Sequence, residues 1–179
     1  MKQSHWCWIV ALLLFGVFIS RWAWHRHLER NQEAPIRAAA RRYGVEPALV
    51  KAVVWRESRF QPEVRGRAGE IGLMQVREAA AQEWADSEHL ASFEHQQCVD
   101  PRTNTLVGTW YLKKLLARYQ NTDNPLPYAL ADYNAGRGNV LKWLCGAGAT
   151  NSAVFIEQIG FPGTKQYVES VLQQYKHYQ

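Results

Sequence analysis

The sequence contains few cysteines and no cluster of metal ligands. Its three cysteines are Cys7, which lies in an apolar stretch, and Cys98 and Cys145. Its six histidines show none of the spacings that hold zinc, so no metal site is expected. In an oxidising compartment Cys98 and Cys145 could form a disulfide, which would contribute about 4 kcal/mol for a loop of this length; otherwise they remain free thiols.

The chain also lacks a large excess of one charge, an internal repeat and a low-complexity tract. Its formal charge of +5 and isoelectric point of about 9.2 do not indicate nucleic-acid binding. Mild positive charge suits an anionic polymer such as a bacterial wall, and equally an ordinary solvated surface. With 179 residues, 47% of them hydrophobic, the chain is long enough for one buried core and too short for two full domains.

A strongly apolar stretch stands near the N-terminus. As a helix, residues 6–24 would span about 28 Å, close to the hydrocarbon thickness of a bilayer. Trp6 and Trp8 at one end, and Trp22 and Trp24 at the other, resemble the aromatic belts of a membrane span. A cleaved signal peptide is the alternative, but no good pair of small residues marks a cleavage site. We therefore expect an uncleaved membrane anchor in residues 1–24, a polar juxtamembrane linker in residues 25–34 and one domain in residues 35–179.

The charges on either side of this stretch predict on which side of the membrane the domain lies. Lys2 is the only basic side chain before it, whereas Arg21, Arg26 and Arg30 follow it closely. The positive-inside tendency alone would keep the domain in the cytoplasm, although long translocated domains often escape that tendency.

Glu57 ends an apolar helix stripe and is the first catalytic candidate. On a helix, Leu49, Val53 and Glu57 follow one another at i, i+4 and i+8, so the acid continues a row of core-facing side chains. Burial favours the neutral form of a carboxyl, so its pKa should rise from about 4.3 towards roughly 6, which suits a general acid. An ion pair with Arg56 or Arg59, or a side chain turned to solvent, fits the spacing equally well.

The loop after Glu57 is rich in residues that bend the backbone. They are Pro62, Gly66, Gly69 and Gly72. Glycines let a backbone approach a ligand closely, so this loop is typical of a cleft wall. Gln75 then supplies an amide suited to sugar hydroxyls and acetamido groups. Ser58 has no His or Asp base beside it and is predicted to bond to helix carbonyls rather than to act as a nucleophile.

The remaining patterns are mostly helical. The predicted helices are Ile36–Tyr43, one beginning at Pro47, residues 77–85, residues 101–119, Tyr128–Ala135, residues 140–144 and one beginning at Pro162. The sequence therefore predicts an all-α fold, with at most a minimal β-hairpin near residues 64–75 and one N-terminal transmembrane helix.

Four blocks of sequence match, in order, those of a known family. They are Glu57-Ser58 with Gly72-Leu73-Met74-Gln75; Asp100-Pro101 with Asn104, Gly108 and Tyr111-Leu112; Ala131-Asp132-Tyr133-Asn134-Ala135-Gly136; and Phe161, Thr164 and Tyr167-Val168. On these blocks the chain resembles the lytic transglycosylases with an SLT-type, lysozyme-like domain. The resemblance covers roughly residues 35–175.

This resemblance implies an enzyme that acts on peptidoglycan glycan strands without a cofactor. One Glu, here Glu57, would protonate the oxygen between N-acetylmuramic acid and N-acetylglucosamine, and then deprotonate the muramyl 6-hydroxyl. The product would carry a 1,6-anhydromuramyl end. The domain would face the periplasm or wall from the bacterial inner membrane, anchored in the bilayer through residues 6–24, or be secreted after signal cleavage.

The resemblance also implies a set of substrate-binding residues. They are Gln75, Met74, Tyr133, Asn134 and Tyr167. A phenol at Tyr133 would hold the carboxyl of Glu57 in one rotamer, and the amide of Asn134 would bind an N-acetyl group. On local pattern alone, Tyr133 and Tyr167 are buried tyrosines and Asn134 helps to cap a helix.

Several positions depart from the family pattern. Gly66 stands where Ser is usual, Glu70 and Asp132 where Ala is usual, and Arg137 and Gly163 where Pro and Glu are common. The added acids leave room for a hydrolytic, lysozyme-like muramidase, because hydrolysis ordinarily uses two carboxylates. A non-catalytic, membrane-tethered wall-binding module is the further alternative.

Overall fold

The computed structural model describes the backbone of residues 2–179 and the side chains of residues 8–10 and 12–179. Over these residues it contains nine α-helices: α1 (Lys2–Asn31), α2 (Glu33–Tyr43), α3 (Pro47–Ser58), α4 (Glu78–Ser87), α5 (Pro101–Arg118), α6 (Pro125–Ala135), α7 (Arg137–Trp143), α8 (Ser152–Gln158) and α9 (Pro162–Tyr178). Two short 3-10 segments, His95–Val99 and Gly146–Ala149, precede α5 and α8.

Strand pairing is limited to the loop that follows α3. Two isolated antiparallel bridges join Ile71 to Arg65 and to Val76, and no regular strand occurs elsewhere in the described chain. The prediction of an all-α fold with at most a minimal hairpin near residues 64–75 is therefore confirmed.

Helix α5 lies at the centre of the domain. Its start follows the predicted pattern, because the Asp100 side chain accepts a hydrogen bond from the backbone N–H of Thr103 at 2.8 Å and Pro101 takes the first helical position. Val107 and Leu115 on its apolar stripe are fully buried. Helices α2, α4 and α6 pack against α5, and α3 packs against α9.

Helix α3 brings Glu57 to the edge of this core. Leu49 and Val53 are buried, as their spacing predicts, and Glu57 follows them in the last turn. Arg59 ends the helix in the left-handed region, with a φ of 52°, which turns the chain into the glycine-rich loop.

Residues 25–34, predicted as a polar juxtamembrane linker, are helical over most of their length. Helix α1 continues to Asn31, and α2 begins at Glu33. Leu28 packs against the core, and the Lys51 ammonium contacts the Glu29 carboxylate at 2.9 Å and the Glu33 carboxylate at 3.1 Å. These tertiary contacts stabilise helix in a segment whose polar composition suggested a linker.

The N-terminal part of α1 stands clear of the domain. Its large apolar side chains are exposed, for example Trp8 at 72% and Phe18 at 65%. By length and composition this helix is able to cross a membrane. Trp6 and Cys7, named in the sequence analysis, have side chains outside the described set.

Helices α2, α6 and α7 each begin three residues before their predicted starts at Ile36, Tyr128 and Val140. Helix α6 begins at Pro125 rather than at Tyr128, because the Asn124 side chain caps it by accepting from the N–H of Leu126 at 3.1 Å. Helix α8 is not predicted at all. It is only seven residues long, and its fully buried residue is Phe155.

Candidate active site

A cleft of about 330 Å³ opens between the end of α3, the glycine-rich loop and helices α4, α5 and α6. Its charged and polar lining side chains are Glu57, Glu70, Gln75, Arg77, Glu83, Tyr111, Asp132, Tyr133 and Asn134. A cleft of this size, with convergent polar groups, is typical of a small-molecule or polymer-binding site.

Glu57 is half-buried at the wall of this cleft. The Tyr167 hydroxyl donates a hydrogen bond to Glu57 Oε1 at 2.7 Å. Burial raises the pKa of Glu57 from its ordinary value of 4.5 to about 7, and the Tyr167 hydrogen bond and the Arg56 charge only partly oppose this rise. The carboxyl is therefore suited both to give and to take a proton near neutral pH.

The alternatives of an ion pair with Arg56 or Arg59 are not realised. The Arg56 guanidinium donates to Ser170 Oγ at 3.0 Å and lies 5.2 Å from the centroid of the Tyr167 ring. The Arg59 guanidinium lies over the Trp55 ring, 3.5 Å from its centroid. Neither guanidinium comes within 4.0 Å of a Glu57 oxygen.

The tyrosine that holds Glu57 is Tyr167 and not Tyr133, for which the family resemblance implied that role. The Tyr133 hydroxyl instead donates to the backbone carbonyl of Met74 at 2.8 Å, because the turn between Leu73 and Gln75 places that acceptor beside it. Tyr133 lines the cleft, whereas Tyr167 is only 1% exposed and is not one of the lining side chains. Tyr167 is therefore placed to position the acid rather than to contact substrate.

Met74 supports the cleft from inside. Its side chain is fully buried against Gly108, and its N–H donates to Asn104 Oδ1 at 2.8 Å. The Met74 side chain is packed in the core and does not line the cleft, and the substrate-binding role expected of Met74 stays a prediction.

Gln75 fastens the glycine-rich loop. Its backbone is left-handed, with a φ of 47°, and its Nε2 donates to the carbonyls of Val64 at 3.0 Å and Gly72 at 2.8 Å. The amide nitrogen is thus occupied by the loop, which leaves Oε1 as the group able to meet a ligand in the cleft.

Asn134, in the last turn of α6, is exposed and lines the cleft. Its Oδ1 accepts a hydrogen bond from Thr164 Oγ1 at 2.8 Å, which fixes the direction of the amide. The amide nitrogen remains available to a carbonyl acceptor such as that of an N-acetyl group.

Two of the departures from the family pattern compensate for each other. A Cβ on residue 66 would lie 2.1 Å from Glu70 Oε2, so the Glu70 side chain fills the space that a side chain at Gly66 would need. The Ala68 N–H donates to the same oxygen at 3.0 Å, and the Arg77 guanidinium lies 2.9 Å from the other one. Burial by itself would raise the pKa of Glu70, but these donors hold that pKa below its ordinary value.

Asp132, the other added acid, is almost fully buried. Its Oδ2 accepts from the Arg118 guanidinium and from the Tyr119 hydroxyl, the latter at 2.7 Å. Its Oδ1 has no hydrogen-bond partner in the part of the chain with described side chains. The carboxylate is thus held from the side of α5 by Arg118 and Tyr119.

Ser58 and the cysteines have no catalytic arrangement. Ser58 Oγ contacts the Leu73 carbonyl at 2.8 Å and the Val54 carbonyl at 3.1 Å, which matches the predicted structural role.

Cys98 and Cys145 are free, so the possible disulfide is absent. Burial raises the pKa of the Cys98 thiol to about 12, and this thiol is correspondingly inert. No group of three or more His, Cys, Asp or Glu side chains among the described residues could hold a metal ion.

Comparison with known proteins identifies the family. A family model described as "Transglycosylase SLT domain" matches residues 34–156. The chain belongs to this family. Its SLT domain is 33% identical over 130 residues to the soluble lytic murein transglycosylase of Escherichia coli K12, an alignment that covers 72% of this chain and 20% of that protein. It is 35% identical over 133 residues to the membrane-bound lytic murein transglycosylase C of Actinobacillus pleuropneumoniae serotype 5b, over 70% of this chain and 36% of that one. The chain thus spans only a fifth to about a third of the length of these relatives.

Solved structures share the fold of the SLT domain. The lytic transglycosylase Slt of Pseudomonas aeruginosa, solved as an inactive Glu-to-Gln mutant, gives a TM-score of 0.73 at 30% identity, over 81% of this chain and 23% of that one. A 70-kDa soluble lytic transglycosylase in complex with bulgecin A gives a TM-score of 0.72 at 29% identity, over 85% of this chain and 25% of that one. The expected lysozyme-like fold is confirmed.

Proposed function

We propose that this chain is a peptidoglycan lytic transglycosylase with Glu57 as its single acid and base. The observation that carries the proposal is the Glu57 carboxyl itself, which faces the cleft, accepts from Tyr167 and has a pKa raised to about 7. The names of its relatives, lytic murein transglycosylases, support the same substrate, the glycan strands of peptidoglycan.

The proposed reaction has two proton transfers through one group. Neutral Glu57 protonates the glycosidic oxygen as the bond from C1 of N-acetylmuramic acid breaks, and the N-acetylglucosamine leaves as an alcohol. The Glu57 carboxylate then removes the proton of the muramyl 6-hydroxyl while that oxygen bonds to C1. The anhydro ring replaces the glycosidic bond, no water is consumed, and Glu57 is neutral again.

The other cleft residues have binding roles in this scheme. Gln75 Oε1 and the Asn134 amide nitrogen are the groups left free to meet sugar hydroxyls and acetamido groups. Tyr133 forms the wall and holds the Met74 carbonyl, and Tyr167 fixes the rotamer of Glu57. These assignments predict a larger rise in KM for changes at Asn134 and a larger fall in kcat for changes at Tyr167.

Product analysis of digested sacculi tests the proposal. The full chain, Glu57→Gln and the matched control Glu169→Gln, which changes an exposed carboxylate on α9, are each incubated with purified sacculi. Mass spectrometry is expected to show anhydromuramyl ends from the wild type and the control, and none from Glu57→Gln. Hydrated reducing ends would establish a muramidase, and sacculus binding without released fragments in all three proteins would establish a wall-binding module.

We further propose that α1 anchors the domain in the inner membrane with the cleft on the periplasmic side. The exposed apolar side chains of α1 support the anchor, and membrane-bound lytic murein transglycosylases are among the relatives. The basic residues that follow the span would by themselves predict a cytoplasmic domain. We give more weight to the proposed substrate, which lies outside the cytoplasm. Protease accessibility of the domain in spheroplasts, compared with lysed cells, tests this orientation, and protection in intact spheroplasts would contradict it.

A further inference from the structure

A second cavity lies where α1 meets the ends of α3 and α9. We call it the junction cavity; it encloses about 480 Å³, and its lining includes Arg21, Arg26 and Glu29 of α1, Trp55 and Arg59 at the end of α3, and Tyr178 of α9. It is separate from the cleft and shares no lining residue with it.

The junction cavity carries uncompensated positive charge. Over the residues with described side chains, no carboxylate lies within 4.0 Å of the guanidinium of Arg21, Arg26 or Arg59. The one acid in the lining, Glu29, is bound by Lys51 at 2.9 Å. Burial and the neighbouring charge of Arg56 lower the pKa of Arg59 from its ordinary value. Arg21, Arg26 and Arg59 therefore line one cavity, and none of their guanidiniums is paired with a carboxylate among the described side chains.

The walls of the junction cavity are held by specific contacts. Arg59 has a left-handed backbone, and its guanidinium stacks on Trp55. On the other side, the contacts of Lys51 with Glu29 and Glu33 fix the end of α1 to the domain. The cavity is thus a built feature of the junction rather than a chance meeting of surface side chains.

The position of the cavity along α1 matches the headgroup layer of a bilayer. Arg21 lies in the last turns of the apolar segment, and Arg26 lies about 8 Å further along the helix axis. The headgroup region beyond the hydrocarbon core has a thickness of roughly 5–8 Å on each side. Exposed Trp22 and Trp24 mark the same level on other faces of α1. An anion that enters the cavity from the membrane would therefore be a lipid phosphate.

We propose that the junction cavity binds the headgroup phosphate of an anionic phospholipid. Guanidinium groups bind phosphate oxygens in pairs, and the aromatic faces of Trp55 and Tyr178 suit the boundary between headgroup and acyl chain. This inference rests on the membrane anchor proposed above and not on the cleavage reaction. It gives the basic residues after the span a role that does not require a cytoplasmic location.

Lipid titration of the full chain in detergent micelles tests this inference. The thermal unfolding midpoint is followed against phosphatidylglycerol, phosphatidylcholine and inorganic phosphate for the wild type and three variants. The cavity variant is Arg21→Gln/Arg26→Gln/Arg59→Gln. The matched control is Arg41→Gln/Arg102→Gln/Lys113→Gln, which removes the same charge from exposed positions outside the cavity. The third variant, Arg21→Gln/Arg26→Gln, leaves the domain unchanged and keeps the test valid should the triple variant fold poorly.

Phosphatidylglycerol is expected to raise the midpoint of the wild type and of the control by several degrees, because a ligand that binds only the folded state stabilises it. The cavity variant should need at least tenfold more of this lipid for the same rise, and the double variant should fall between. Equal rises with phosphatidylcholine, or equal losses in the control, would refute the site. An equal rise with inorganic phosphate would show a free-anion site instead.

Two further outcomes separate this inference from the proposed enzymatic function. Glu57→Gln should respond to the lipid as the wild type does, because Glu57 lies outside the junction cavity. If mass measurement of the chain purified from cell membranes shows that residues 1–24 have been removed, then Arg21 is lost and the inference is wrong, while cleavage of sacculi can persist.

Discussion

The raised pKa of Glu57 predicts that this proposed catalytic acid destabilises its own domain at neutral and alkaline pH. In the unfolded chain a Glu ionises near pH 4.5, whereas in the folded chain Glu57 ionises near pH 7. Below pH 4.5 both states hold the proton, and the group costs nothing. As pH rises from 4.5 through 7, the unfolded state releases its proton first, so stability falls, and above pH 7 the loss levels off.

The size of this loss follows from the two pKa values. Each pKa unit corresponds to about 1.4 kcal/mol, so the difference amounts to about 3 kcal/mol at pH 8. Glu57→Gln removes the titration and keeps an oxygen that can accept from Tyr167. The free energy of unfolding of the variant, relative to that of the wild type, should therefore rise by about 3 kcal/mol between pH 4 and pH 8. For a domain of this size, that corresponds to roughly 6–12 °C in the unfolding midpoint.

Thermal unfolding of the full chain in micelles, followed by circular dichroism between pH 4 and pH 8, measures this difference. Glu169→Gln, at an exposed position on α9, is the control. The difference between its unfolding midpoint and that of the wild type should not increase comparably with pH. The activity of the wild type on sacculi should fall about tenfold per pH unit above pH 7, as the acid form is lost. A midpoint difference that stays flat from pH 4 to pH 8 would refute the inference that Glu57 is held neutral.

Three other changes test the surroundings of Glu57. Tyr167→Phe removes a donor to the carboxylate, so the alkaline limb of the pH–activity profile should move to higher pH while kcat falls; an unchanged limb would contradict the contact. Gly66→Ser should destabilise the domain by about 1 kcal/mol, because it displaces Glu70 from its donors, and adding Glu70→Ala should restore most of that loss in a double-mutant cycle. Ser58→Ala should lower stability by about 1 kcal/mol in the same melts and leave sacculus cleavage intact, whereas abolished cleavage in a folded variant would make the hydroxyl catalytic.

The sequence predicts those features that depend on local periodicity. The row of Leu49, Val53 and Glu57 needs only the geometry of one helix, and the structure has the two apolar residues buried and Glu57 half-buried beside the cleft. The start of α5 at Asp100 and Pro101 is equally local. Such features are predictable because neighbours in sequence determine them.

The partner of Glu57 depends on tertiary packing and is not predictable in this way. Tyr167 lies 110 positions further along the chain, and it reaches the acid only because α9 packs against α3. The helical conformation of residues 25–31 also depends on tertiary packing, because Lys51 and the core hold a segment whose polar composition is typical of a linker. The buried Met74 side chain likewise follows from its packing against Gly108, which motif matching does not report.

The two added acids of the cleft argue against hydrolysis rather than for it. A second carboxylate that activates water needs a free oxygen that faces the scissile bond. Both oxygens of Glu70 are engaged, one by Arg77 and the other by the Ala68 N–H, and these contacts keep it ionised and fixed in the loop. Asp132 is 1% exposed, and Arg118 on α5 binds its Oδ2, so its unpaired Oδ1 is buried rather than presented to a substrate. Glu57 is thus left as the cleft carboxyl with a pKa near neutrality. In the proposed reaction the attacking group is the muramyl 6-hydroxyl of the substrate, which needs no second carboxylate to bond to C1.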